Sequence, residues 1–258
     1  LPVVLLVGGA GSRMGADAGE LPKHLVDVGG RPMLWHVMRL YAHFGHTAFI
    51  FPLGQRGDYF RRYFLDFQAL TGDISFHMGT PDVGTTTGTV ESEWQVNLFD
   101  AGLHTRKGAR IRLAAEQIDA ATFFVTYGDG IGDVDIFKLL AFHRSHGKLA
   151  TVTGVQPLSQ YGVLQIEEGG RVVGLDEKPR LDHWINAGFF VFESGVLGYF
   201  MGDNSVDLET EAMPRLAADG ELMIYRHEGF WASMDTFKDA SYLNDAWDDN
   251  APWKLWDE

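Results

Sequence analysis

The stretch Leu1-Pro2-Val3-Val4-Leu5-Leu6-Val7-Gly8-Gly9-Ala10-Gly11-Ser12-Arg13-Met14-Gly15 decides the fold. Val3 to Val7 is a short apolar run that ends in glycines, so it reads as a buried strand. The glycines let the backbone approach a ligand closely, and successive N–H groups there can form an anion-binding nest. Arg13 adds a cation with a planar fork, and Lys23 follows just after Pro22. Two familiar glycine motifs do not fit. A P-loop closes on Gly-Lys-Ser/Thr, which is absent. A dinucleotide fingerprint needs G-x-G-x-x-G, and here the third glycine comes one residue late. A plain turn would need neither four glycines nor the arginine. The loop therefore reads as a phosphate site at the end of a first strand.

Outward from this loop, strands and helices alternate. Leu34, Val37, Met38 and Tyr41 repeat at helical spacing after Pro32, a favourable early-helix residue. Residues 48–51 read as a strand and 59–67 as an aromatic-rich helix. From about Gly72 to Thr105 the chain is rich in Gly and Thr, as in Gly84-Thr85-Thr86-Thr87-Gly88-Thr89. It reads as a loop with short strand pieces, open to movement over about 79–93. Residues 121–127 form a buried strand that ends in Gly128-Asp129-Gly130. A helix is expected over 135–146 and a strand over 149–154. Val163 to Ile166 and Arg171 to Leu175 flank Glu167-Glu168-Gly169-Gly170 and read as a hairpin. Further strands are expected at 186–193 and 222–227, and helices at 207–218 and 236–247. This order predicts a Rossmann-like α/β fold, a mainly parallel mixed sheet flanked by helices. With no internal repeat and no low-complexity linker, residues 1–258 are expected to form one domain.

Composition narrows the chemistry. The 45% hydrophobic content suffices for a sizeable core, and no apolar run reaches the length of a membrane-spanning helix. The absence of cysteine removes disulfides, thiolate nucleophiles and thiolate zinc sites, and fits a cytoplasmic protein. A formal charge of −14 repels a long nucleic acid. A small phosphorylated ligand remains compatible if cations are concentrated locally and a divalent metal offsets its charge.

Two acidic positions stand out. Asp129 sits between glycines at the end of a buried strand, where a carboxylate can reach a ligand or hold Mg²⁺ together with phosphate oxygens. Asp235 is a second candidate. On residues alone, Asp129 also reads as a turn residue, and Asp235 reads equally as the cap of the last helix. Asp133-Val134-Asp135 is a D-x-D, a pattern that can hold a metal and a sugar nucleotide, but its place before a helix favours capping. His143 and His146 share a helix face and read as solvated. Trp231, Trp247, Trp253 and Trp256 read as core or oligomer contacts.

The glycine loop, Leu21-Pro22-Lys23, Gly29-Gly30-Arg31-Pro32-Met33-Leu34-Trp35-His36, Tyr127-Gly128-Asp129-Gly130, Glu177-Lys178-Pro179, Ile185-Asn186-Ala187-Gly188-Phe189-Phe190 and Met234-Asp235-Thr236 occur in this order. Together they resemble the sugar-phosphate nucleotidyltransferases, nearly end to end, and most of all the glucose-1-phosphate cytidylyltransferase branch. The resemblance implies transfer of a nucleotidyl group from CTP to glucose 1-phosphate with release of pyrophosphate. It implies Mg²⁺ held by Asp129 and Asp235, with Arg13, Lys23 and Asp129 as the catalytic groups. The nucleotide would be cradled by Gly8, Gly9, Gly11, Ser12, Arg13, Lys23, Arg110 and Gly128. The sugar phosphate would meet Thr126, Tyr127, Gly162, Glu177, Lys178 and Asn186, in a sugar-binding half that starts at about residue 151. It further implies a homo-oligomer.

The sequence departs from the branch at Leu21-Pro22-Lys23-His24-Leu25, where Lys-Pro-Lys-Pro-Met is usual, and Ser12 replaces a threonine. The 79–93 loop lacks a basic cluster. Another base, or another sugar or cyclitol 1-phosphate, therefore stays open as an alternative. So do two other classes, a D-x-D glycosyltransferase and a non-catalytic nucleotide-binding module.

Overall fold

The computed structural model describes residues 1–8, 21–72, 74–76, 83–85, 90–159 and 161–256. Gly9, Gly11, Ser12 and Arg13 lie outside the described residues, as do 79–82 and 86–89 of the 79–93 loop.

Val3–Leu6 lies inside an eight-stranded sheet. On one side it runs parallel to Ala48–Leu53, which in turn runs parallel to Gln95–Asp100. On the other side it runs parallel to Thr122–Tyr127. Beyond that strand the direction alternates. Phe190–Glu193 is antiparallel to Thr122–Tyr127, and Ala150–Val155 is antiparallel to Phe190–Glu193. Leu222–Arg226 then pairs parallel with Ala150–Val155. The sheet is the mainly parallel, mixed α/β sheet expected.

Alternating side chains of the first strand feed two cores. Val3 and Leu5 pack with Leu34, Val37, Met38 and Tyr41 of the helix Met33–His43. Val4 and Leu6 pack on the other face with Ile111, Ala114, Phe190 and Phe192. Full burial on both faces is why this strand is continuously apolar. Trp253 and Trp256 complete the first core, closing around His36.

Three features differ from expectation. Gln95–Asp100 is an edge strand of the main sheet, inside the stretch read as a loop with short strand pieces. Its signal is only a short alternation, with Val96 and Leu98 half-buried and Gln95 and Asn97 exposed. The helix Lys107–Ala115 follows it and had no sequence expectation. The strand expected at 186–193 is broken into Ile185–Asn186 and Phe190–Glu193. Gly188 (φ 80°) and Phe189 (φ 49°) turn left-handed at the break. The hairpin is present as a two-stranded ribbon, Val163–Ile166 with Val172–Asp176.

Candidate active site

The parallel strands Val3–Leu6, Ala48–Leu53 and Thr122–Tyr127 end on one edge of the sheet, the edge where such folds bind ligands. Gly8 follows the first strand and Asp129 the third. A two-stranded sheet brings in the C-terminal part of the chain: Trp231–Ser233 pairs antiparallel with Gly130–Gly132. The N–H of Met234 then donates to the carbonyl of Asp129 at 2.8 Å, which sets Asp235 beside Asp129. Lys23 opens the short turn Lys23–Leu25 and brings its ammonium between them.

The result is one cation shared by two carboxylates. Lys23 Nζ pairs with Asp129 Oδ2 and with Asp235 Oδ1, the latter at 2.7 Å. Burial opposes the charge on Lys23, but the two carboxylates more than offset it and hold its pKa above the ordinary lysine value. Asp235 therefore does not cap the last helix. Thr236 does, accepting the N–H of Asp239 in a reciprocal capping box.

These groups line a cavity of about 470 Å³, together with Gly8, His24, Lys107, Tyr127, Asn186, Glu209 and Trp231. Its charged side chains are three carboxylates against two ammonium groups. His24 adds no charge near neutrality, because burial pushes its pKa down to about 4. Gly128 must be glycine: a Cβ there would lie 2.8 Å from Val7 Cγ1 and 2.9 Å from His24 Cδ2.

The other expected site residues are placed as follows. Tyr127 and Asn186 line the cavity, and Asn186 Nδ2 donates to the Tyr127 hydroxyl at 3.0 Å. Thr126, one residue earlier on the strand, is buried and is not part of the cavity wall. Arg110 lies beneath Gly8, where its guanidinium donates to the carbonyls of Thr105, Pro52 and Gly102 at 2.8–3.1 Å. It borders a second cavity of about 320 Å³ with Gly8, Gln55, His104, Arg106 and Lys107. Gly162 and Glu177 meet at the base of the ribbon, where a Cβ on Gly162 would lie 3.1 Å from Glu177 Oε2. Lys178 beside them is exposed, with φ 50°. None of these three lines the cavity holding Lys23.

Lys107, Glu209, His24 and Trp231 line the cavity without having been singled out as ligand-facing. One sequence signal points to Lys107: Arg106, Lys107, Arg110 and Arg112 form a basic run in an acidic chain. In the D-x-D, Asp135 caps the helix Ile136–His146 by accepting the N–H of Lys138 at 2.9 Å. Asp133 Oδ1 lies 2.9 Å from His227 Nε2, which is hydrogen-bonded to the Phe230 carbonyl. His143 is not solvated: it is 1% exposed and bonded to Thr151 and Glu193.

Comparison with known proteins identifies the family. Residues 2–250 match the Nucleotidyl transferase family. The chain is 37% identical over 257 residues to a probable glucose-1-phosphate cytidylyltransferase of Bacillus subtilis, covering 99% of this chain and 100% of the relative. It is 38% identical over 260 residues to the glucose-1-phosphate cytidylyltransferase of Salmonella typhi, covering both chains fully. The crystal structure of HddC from Yersinia pseudotuberculosis, complexed with GMP-PN, shares the fold with a TM-score of 0.71 at 19% identity, over 95% of this chain and 99% of that one. A mainly parallel sheet, a cavity at the carboxyl ends of its strands and relatives alike from end to end lead to one conclusion: the chain belongs to the nucleotidyl transferase family.

Proposed function

We propose that the chain transfers the cytidylyl group of CTP to glucose 1-phosphate, giving a nucleotide sugar and pyrophosphate. The observation that carries this reading is Lys23 lodged between Asp129 and Asp235, in a cavity that begins at Gly8. The full-length likeness to glucose-1-phosphate cytidylyltransferases supports the choice of substrates.

Asp129 and Asp235 fit one divalent cation, because both carboxylates already converge on a single ammonium. Among the described residues no group of three or more His, Cys, Asp or Glu could hold a metal. Mg²⁺ suits such a sparse site, since it needs one or two carboxylates and takes its other ligands from water and phosphate oxygens. When bound, it supplies neutralisation of triphosphate charge.

Lys23 and Arg13 hold the triphosphate, with Gly8, Gly9, Gly11, Ser12, Gly128 and Arg110 shaping its cradle. Tyr127 and Asn186 meet the acceptor in the cavity. Thr126 supports Tyr127 from inside the strand, and Gly162, Glu177 and Lys178 serve the acceptor from the ribbon base. A phosphate oxygen of the acceptor attacks the α-phosphorus in line, and the bond to the pyrophosphate group breaks. A phosphomonoester has a second pKa of about 6, so no general base is required. The enzyme contributes alignment and charge neutralisation.

The chain acts as one domain over residues 1–258, with the acceptor half from about residue 151, in the cytoplasm where nucleoside triphosphates are made. It works as a homo-oligomer. In support, Leu164, Ile166, Val172 and Leu175 pair across the ribbon and are each more than half exposed. A two-stranded ribbon is marginal alone, and exposed apolar patches mark contact surfaces.

The test is pyrophosphate release over a grid of nucleoside triphosphates and sugar or cyclitol 1-phosphates with Mg²⁺. CTP with glucose 1-phosphate is expected to give the highest rate. A faster pair elsewhere in the grid would move the substrate assignment, and no release with any pair would sink the reaction.

A further inference from the structure

Lys107 and Glu209 are unused in the reading above. Lys107 is the first residue of the helix Lys107–Ala115. Glu209 lies in a π-helical turn, Leu208–Ala212, held by Asp207, whose side chain accepts the N–H groups of Glu209 and Thr210 at 3.1 Å. Such turns are rare and concentrate at functional sites.

The two residues end a chain of hydrogen bonds along the cavity wall. Asn186 donates to the Tyr127 hydroxyl at 3.0 Å, and that hydroxyl donates to Glu209 Oε1 at 2.6 Å. Lys107 Nζ pairs with the same oxygen and sits 5.0 Å from the centre of the Tyr127 ring. Because it accepts from Asn186, the Tyr127 hydroxyl directs its own proton to Glu209. Glu209 is thus fixed by Tyr127. Lys107, 40% exposed on a flexible stem, is the movable partner. It also borders both cavities, the one before Asp129 and the one beneath Gly8. Lys178, expected on the sugar phosphate, does not line the first cavity.

We infer that Lys107 is the cation that receives the acceptor's phosphate, with Glu209 as its resting counter-ion. The ligand class is a phosphomonoester of a polyhydroxylated acceptor. An arriving phosphate offers several anionic oxygens where Glu209 offers one shared oxygen, so the ammonium transfers to it. Glu209, still held by Tyr127, is then free to accept a hydroxyl hydrogen bond from the acceptor. This rests on the reaction proposed above, and the test separates the two.

The full chain and its Lys107→Met, Lys107→Arg and Glu209→Gln variants are titrated by calorimetry with glucose 1-phosphate and with inorganic phosphate. KM is measured separately for CTP and for glucose 1-phosphate. Lys107→Met is expected to weaken glucose 1-phosphate binding and raise its KM at least tenfold, while the CTP KM stays within twofold. Lys107→Arg restores most of the loss. Glu209→Gln keeps an acceptor for Tyr127 but releases Lys107, so inorganic phosphate binds at least threefold tighter. A pair with only a structural role would instead lower the melting temperature in all three variants and move no KM selectively. That result, or a rise confined to the CTP KM, overturns the inference. Absence of pyrophosphate release with every substrate pair, alongside Lys107-dependent phosphate binding, overturns the proposed reaction and leaves this assignment standing.

Discussion

The strand Thr122–Tyr127 carries a polar cluster at each end. At its start, Thr122 donates to Glu193 Oε1 at 2.9 Å, and His143 bridges Glu193 and Thr151 at 3.2 and 2.8 Å. His146 bonds the same Thr151 and accepts the N–H of Lys148 at 2.9 Å. Both ring nitrogens of both histidines are occupied. At the strand's other end, Tyr127, Glu209 and Lys107 share one oxygen, and Lys23, Asp129 and Asp235 share one ammonium, all on the wall of a cavity. Each cluster holds a carboxylate, a hydroxyl and a basic group. They differ in what is left uncommitted and whether space adjoins it. The histidine pair closes on itself beneath the sheet's inactive edge. The carboxylates at the carboxyl edge pair with lysines that a phosphate or a metal can draw away.

The same chemical change at both ends breaks this comparison most sharply. Asp129→Asn removes one negative charge from the open cluster. Pyrophosphate release is expected to fall about 10³-fold, the scale of losing a principal charge-stabilising group. Its melting temperature should hardly move, because a like-charged carboxylate remains nearby. Glu193→Gln removes one negative charge from the closed cluster. It should leave turnover within twofold and cost about 1–2 kcal/mol, lowering the melting temperature by several degrees in a chain of this size. Turnover assays with thermal melts of both variants decide it. If Glu193→Gln damaged turnover as severely as Asp129→Asn, the closed cluster would belong to the site.

How much of this contrast is legible in the sequence depends on how local its cause is. Val3 to Gly8 is legible because an apolar run followed by glycines has few other readings. Asp129 is legible only through the family motif around it, because on residues alone a carboxylate between glycines at a strand end is also a turn. Lys107 and Glu209 are not, since their meeting depends on a π-turn and on a helix packed against a segment 102 residues away. His143 and His146 look solvated from helical spacing alone, because only the tertiary fold brings Thr151 and Glu193 over them. Thr126 and Tyr127 differ by one step of strand alternation, so a family motif that spans both does not tell which one faces the ligand. The edge strand Gln95–Asp100 is hidden because an edge buries only one face and its pattern is short.

Acid should strain the buried histidines and test the closed side of the molecule further. His36 donates from Nε2 to the Val28 carbonyl at 2.8 Å, and its Nδ1 accepts from the Trp253 indole at 3.3 Å. Protonation at Nδ1 would lose that acceptor inside the aromatic core. Burial accordingly pushes the His36 pKa down to about 4. In the unfolded chain the value is near 6.5, so between these pH values the unfolded state binds more protons. Stability is therefore full above about pH 6.5 and is lost as pH falls toward 4, by about 2–3 kcal/mol from this histidine. Approach to the isoelectric point of about 5.0 reduces charge repulsion and works in the other direction. The clean readout is the NMR titration of the His36 ring. A midpoint near 4 is expected, and one near 6.5 would refute the buried, neutral assignment.

The smallest effect separates the two clusters at the point where the chain passes between them. The helix Ile136–His146, which carries the histidine pair, begins at Asp135, only six residues after Asp129. Asp135 accepts the N–H of Lys138 and pairs with its ammonium at 3.1 Å. Burial opposes ionisation, but the Lys138 contacts prevail and hold the carboxyl below its usual range. That is the work of a helix cap, and the side chain is absent from the wall of the cavity. Asp135→Ala should cost about 1 kcal/mol, the usual loss for a cap, and lower the melting temperature by about 2–4 °C. Pyrophosphate release and the KM values should stay within twofold. A tenfold loss of activity at unchanged stability would instead put the D-x-D in the site, and with it a sugar-nucleotide-binding role that the open cluster around Lys23 does not require.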